Sequence, residues 1–187
     1  MRIIAGEMRS RKLKAPEGMD TRPTADRVKE ALFSILGDRL PQARVLDLYA
    51  GSGALALEAL SRGAQSAVLV DCGAKACPII QENIDALNCQ SRARLLRMKD
   101  TAALSMLQKN GDVFDLIFLD PPYRMDTAPI CQAIVERGLL KRDGTIIVEH
   151  GRETPPHIAP PLRLCDHREY GAAGLSFYRL REEEEAP

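Results

Sequence analysis

The 187-residue sequence predicts an α/β fold, a Rossmann-like seven-stranded sheet whose last two strands form an antiparallel hairpin. Two observations predict it. From residue 44 onward short apolar runs alternate with stretches of helical periodicity, the pattern of a parallel sheet covered on both faces. After residue 149 the alternation stops, and two strand-like runs flank Gly171-Ala172-Ala173-Gly174.

The elements follow in order. Thr24 reads as the cap of a helix over 25–36, with Val28, Leu32, Ile35 and Leu36 on one face. Strands are expected at 44–49, 66–71, 93–98, 114–119 and 145–149. The apolar run Leu116-Ile117-Phe118-Leu119 within the strand 114–119 suits burial on both faces. Helices are expected at 54–62, closed by Gly63, then up to about Leu87 with Pro78 in its first turn, then at 101–109 and 128–137. Pro155, Pro156, Pro160 and Pro161 exclude a helix there, so 162–170 and 175–180 close the sheet as a hairpin. One domain (1–187) is expected, with a basic segment and helix over 1–40, a core over 41–181 and an acidic tail over 182–187.

Composition narrows the function classes. No run approaches the roughly 20 apolar residues of a membrane-spanning helix, and the first residues lack the apolar core of a signal peptide. Five cysteines, none in a C-x-x-C pair, argue against a disulfide framework or zinc site and for a reducing cytoplasm, where all five would fill core gaps. Net charge is zero, but residues 1–14 hold Arg2, Arg9, Arg11, Lys12 and Lys14 against Glu7 alone. Such a segment suits either contact with phosphates or a solvated face. The first reading makes it a phosphate-facing arm with Arg9, Arg11, Lys12 and Lys14 as contacts.

Asp47-Leu48-Tyr49-Ala50-Gly51-Ser52-Gly53 lies where the first strand meets its helix. Glycines there let a ligand approach the backbone, in the crevice at the carboxyl ends of the strands. Asp71 ends the next strand, where a carboxylate accepts from ribose hydroxyls. A dinucleotide pyrophosphate wants a third glycine, and Ala56 stands in its place. Asp47 suits a cationic methionine amine better than a pyrophosphate, so S-adenosylmethionine is the expected cofactor. Tyr49, Ala50, Gly51 and Gly53 would line it, and Asp100, after the third strand, either accepts from the adenine amine or caps a helix.

Asp120-Pro121-Pro122-Tyr123 follows the fourth strand directly and faces the same crevice. A base's exocyclic amine is a weak nucleophile because its lone pair is delocalised into the ring. The Asp120 carboxylate and the Pro121 carbonyl can accept from both amine protons and favour the tetrahedral nitrogen that attacks. Pro122 stiffens the turn, and the Tyr123 ring can stack on a flipped base. The methyl donor is already activated, so no metal is required. The tetrapeptide serves guanine N2 and adenine N6 alike, and a non-catalytic RNA-binding assembly factor on the same fold is the third reading. The three histidines show no ligand spacing, and His150 reads as a solvated strand end. Ser52 lacks the spacing of a nucleophile elbow.

These motifs resemble the RsmD-type family of bacterial enzymes that methylate guanine N2 in small-subunit (16S) ribosomal RNA. The likeness runs from Arg2–Gly6 through 22–33 (RPTADRVKEALF), 47–64 and 120–123. It implies a class I S-adenosylmethionine-dependent methyltransferase fold and activity on a small ribosomal subunit or its precursor. It also implies that the Arg22–Thr24 region closes over the cofactor's methionine end.

Overall fold

Seven strands form one sheet in the order β3-β2-β1-β4-β5-β7-β6. The computed structural model describes residues 1–16, 23–122 and 125–181, with 23–26 described by backbone alone. The strands are β1 (Arg44–Leu48), β2 (Ser66–Asp71), β3 (Ala93–Arg97), β4 (Phe114–Leu119), β5 (Leu140–Gly151), β6 (Leu162–Tyr170) and β7 (Ala173–Leu180). The helices are α1 (Pro23–Leu36), α2 (Ala54–Ser61), α3 (Ala76–Ala86), α4 (Asp100–Lys109) and α5 (Ala128–Glu136). The expected α/β order holds, including the closing hairpin. β7 inserts between β5 and β6 and runs antiparallel to both.

Period-2 alternation divides the core. Val45, Leu69, Phe118 and Ile147 face α1, α2 and α3, while Leu46, Val70, Ile117 and Val148 face α4 and α5. Phe33 of α1 packs edge-on against Phe118, with ring centroids 5.9 Å apart. An aromatic pair of this geometry adds about 0.5–1.5 kcal/mol beyond its area burial. It clamps α1 over β1 and β4, the strands whose carboxyl ends carry Asp47 and Asp120. Edge strand β6 is mostly exposed and rich in charge (Arg163, Asp166, Arg168, Glu169), which discourages pairing with another chain.

Four expectations need correction. Helix α1 starts at Pro23, so Thr24 lies inside its first turn and is not the cap; a proline suits a first helical position because its missing N–H needs no partner. Strand β5 starts five residues before Thr145, its polar stretch 141–143 exposed. Its first residue, Leu140, pairs with Phe114 across a register shift. Cys72 and Cys165 are exposed; only Cys77, Cys89 and Cys131 are core fillers. His150 is buried rather than solvated. Among the described residues no helix is long and apolar enough to cross a membrane.

The basic N-terminal segment is bound into the fold. Arg2 and Lys12 form an antiparallel bridge, while Ile3, Met8 and Leu13 are buried in the core. Glu58 on α2 is fully buried; its oxygens accept from the Ile4 and Ala5 amides at 2.8 and 3.0 Å and pair with Arg62 and Lys29 at 2.8 and 3.6 Å. Ser61 accepts from the Met8 amide and donates to the Ala5 carbonyl. Gly6 makes this approach possible, because a Cβ there would sit 1.8 Å from the Ser61 carbonyl oxygen. The acidic tail, 182–187, lies outside the described residues.

Candidate active site

The turn after β1 builds one end of the crevice. Tyr49 takes a left-handed φ of 67°, a strained geometry for a ring-bearing residue, and its hydroxyl donates to Asp100 Oδ2 at 2.5 Å. That bond ties the turn to the start of α4. Gly53 also has positive φ, and a Cβ there would meet Leu69 Cδ2 at 2.9 Å. Glycine lets α2 start close against β2. The Gly51 amide donates to Asp71 Oδ2 at 2.8 Å and the Gly73 amide to Oδ1 at 2.7 Å, tying the glycine turn to the end of β2.

Under this turn lies a cavity of about 160 Å³, lined by Asp47, Tyr49-Ala50-Gly51, Asp120 and Glu149, and roofed by Val28 and Leu32 of α1. Asp47 is 1% exposed. Its Oδ2 accepts from the Ala56 amide at 3.1 Å, while the buried Oδ1 has no hydrogen-bond partner among the described residues. Burial, reinforced by the negative fields of Asp120 and Asp71, pushes its carboxyl up to about 8, against the pull of the Ala56 amide. A buried oxygen left in this state is a site for a cation that donates hydrogen bonds.

Asp120 stands at the carboxyl end of β4. It is open to the crevice, yet loss of hydration among the surrounding protein raises its carboxyl to about 6. Pro121 is buried behind it and Pro122 exposed. On the far side Pro121 and Pro122 line a second cavity of about 440 Å³ with His150, His157 and Thr127, and Glu149 belongs to its wall too. His150 is fixed there: Nε2 bonds to the Ser176 hydroxyl at 2.8 Å, Nδ1 to the Gly151 carbonyl at 2.8 Å, and the ring stacks on His167 at 5.6 Å. Burial lowers its pKa and favours the neutral ring.

The structure brings Asp47, Tyr49, Ala50, Gly51 and Asp120 to one cavity, with Gly53 and Asp71 bordering the turn. Asp100 is the first residue of α4 rather than its cap; its Oδ2 accepts from the Tyr49 hydroxyl and its Oδ1 from the Thr101 amide at 2.6 Å. Arg22 and Tyr123 lie outside the described residues, as does the side chain of Thr24. The cationic arm divides. Arg11 donates to the Ala86 carbonyl and Lys14 pairs with Glu82 at 2.6 Å, both on α3, whereas Lys12 is exposed. Arg9 instead shares a surface cavity of about 300 Å³ with Arg2, Arg27 and one acid, Glu30.

A family model described as conserved hypothetical protein 95 matches residues 1–179. The chain is 37% identical to the ribosomal RNA small subunit methyltransferase D of Escherichia coli, over 98% of this chain and 90% of that one. The chain belongs to the RsmD-type methyltransferase family. It is also 38% identical to a putative rRNA methyltransferase, YlbH, of Bacillus subtilis, over 97% of this chain and all of the relative. The solved structure of a putative methyltransferase, yhhF, from Escherichia coli superposes with a TM-score of 0.83 at 33% identity, covering 96% and 97% of the two chains.

Glu58, Glu149 and the arginine cavity do not stand out in the sequence pattern. Glu58 had a signal: it is the one charged residue in the otherwise apolar and small helix Ala54–Ser61, where a charge needs a buried partner or an exposed face.

Proposed function

We propose that this chain transfers a methyl group from S-adenosylmethionine to the exocyclic N2 amine of a guanine in small-subunit ribosomal RNA. The observation that carries the proposal is the shared crevice: the unpartnered Asp47 Oδ1 and the glycine turn stand on one side of Asp120, and the Pro121–Pro122 cavity on the other. One side suits a cationic amino-acid group and the other a planar base. The cavity of about 160 Å³ is smaller than the roughly 300–1,000 Å³ usual for whole ligands, so it would hold the methionine end, with the nucleoside along the open turn toward Asp71. Arg22 and Thr24 would close over that end. Both Asp71 oxygens retain a lone pair for ribose hydroxyls after meeting the Gly51 and Gly73 amides.

When bound, the sulfonium supplies an activated methyl group. Asp120 and the Pro121 carbonyl then accept from the target amine, localising its lone pair for in-line attack. Asp120, with a pKa of about 6, is mostly ionised at neutral pH and can take the proton that the methylated amine sheds. Tyr123 would stack on the base. Relatives named for small-subunit ribosomal RNA support the substrate class, and an enzyme acting on ribosomes would work in the cytoplasm. Of the cationic residues, Arg9 is the best suited to phosphate, beside Arg2 and Arg27; Lys12 is exposed, and Arg11 and Lys14 are engaged by α3.

The test is transfer of labelled methyl from S-adenosylmethionine to small subunits isolated without their methylation. Wild type should label the RNA, and Asp120→Ala should bind the cofactor normally while labelling on the order of a hundredfold more slowly. No label from wild type would refute the function.

A further inference from the structure

Glu149 sits near the carboxyl end of β5, one residue past Val148, which pairs with Leu119 of β4. Asp120 and Glu149 are therefore neighbours on adjacent strand ends. Alternation places Glu149 on the same sheet face as Ile147, the face that carries Asp47 and α1. It also lines both cavities, the one holding Asp47 and Asp120 and the one holding Pro121 and Pro122. Its carboxyl thus belongs to the wall between the donor side and the base side, next to the group that would hold the target amine.

We infer that Glu149 selects guanine by accepting a hydrogen bond from the ring N1–H while Asp120 holds the adjacent N2 amine. The inference rests on the guanine-N2 reading given above. Guanine presents two donors side by side, N1–H and the 2-amino group. Adenine presents its amine beside N1, which is an acceptor. Two neighbouring carboxylates match the first edge and oppose the second, because a carboxylate facing a ring lone pair gains no bond and stays desolvated. Asp120 and the two prolines treat both amines alike, so a second acceptor beside them is what the discrimination requires. Sites that hydrogen-bond a particular substrate group reject analogues lacking it far better than sites that judge size.

The test uses small subunits reconstituted on RNA carrying either guanine or 2-aminopurine at the methylated position. 2-Aminopurine keeps the 2-amino group and lacks the N1 proton. Wild type should prefer guanine by about 10–100-fold in kcat/KM, the worth of one hydrogen bond to a charged group. Glu149→Gln and Glu149→Ala should lose most of that preference. The ratio is internal to each enzyme, so partial misfolding of a variant cancels. If both variants keep the wild-type preference while N2-methylguanosine is still formed, Glu149 does not read N1–H and the inference is overturned alone. If wild type forms no N2-methylguanosine on the guanine subunits, the parent reading falls and the inference with it.

Discussion

With Asp47 as the proposed seat of the cofactor's ammonium group, cofactor affinity should depend on pH. The Asp47 carboxyl, with a pKa of about 8, is protonated in the empty protein at pH 7, and ionising it there requires about 1.4 kcal/mol for the one-unit gap. A cation binding at the unpartnered Oδ1 favours the ionised form, so binding expels a proton. Affinity for S-adenosylhomocysteine should therefore rise about tenfold per pH unit between pH 6 and 7, bend near pH 8 and level off above it. Asp47→Asn removes the slope; the ligand's own ammonium titrates equally in both proteins and cancels in the comparison. Stability should move the other way. The folded pKa lies above the unfolded value, so the contribution of Asp47 is fully present below about pH 4 and is lost as pH rises through about 8. The Asn variant should thus melt higher than wild type at about pH 8 and show less advantage at about pH 5. Calorimetry at several pH values, in buffers of different ionisation heat, measures both affinity and proton release. Wild-type affinity flat from about pH 6 to 8, with no proton released, would refute the assignment of Asp47 to the cationic end.

The remaining predictions use other parts of the molecule. Single-turnover rates should fall below a pH of about 6 as Asp120 protonates, and Asp120→Asn should flatten that limb while lowering the plateau; a limb unchanged in the variant assigns it to another group. Neutralising Arg2, Arg9 and Arg27 should raise the RNA KM and reduce the salt slope by about 0.7–0.9 for each phosphate left without its cation. Arg11→Gln with Lys14→Gln should instead lower Tm with little change in KM, because these side chains hold α3; equal KM effects in both variants would put the RNA path elsewhere. Glu58→Gln should cost about 3–5 kcal/mol in urea unfolding, since it removes the buried counter-charge that Lys29 and Arg62 face and loosens the N-terminal segment. A change under about 1 kcal/mol would show that segment to be held by its apolar anchors.

The fold was readable because buried parallel strands leave unbroken apolar runs. Leu116-Ile117-Phe118-Leu119 needed no partner to be recognised, and the position of Asp120 followed from where that run ends. Motif order carried the cofactor side for the same reason: Asp47, Gly51 and Asp71 all mark strand ends. Tertiary contacts decided what the pattern left open. The charges of residues 1–14 masked Ile3, Met8 and Leu13, spaced too irregularly to read as an element but buried by Glu58 and Ser61 across more than fifty residues of sequence. His150 looked like a polar strand end until Ser176, contributed by the antiparallel β7, supplied its partner. The bond from the Tyr49 hydroxyl to Asp100, made possible by the positive φ of Tyr49, had no signal in the sequence. The proposed role of Glu149 had no signal in the sequence, because it rests on the β4–β5 register that sets the residue beside Asp120.

Whether guanine N2 is the methylated atom is tested most directly by mass spectrometry of nucleosides. Small subunits lacking their methylation would be treated with this protein and S-adenosylmethionine, then digested and compared with untreated subunits. One new N2-methylguanosine per subunit is the predicted result, absent with Asp120→Ala. N6-methyladenosine, or no new methylated nucleoside from active wild-type protein, would contradict it.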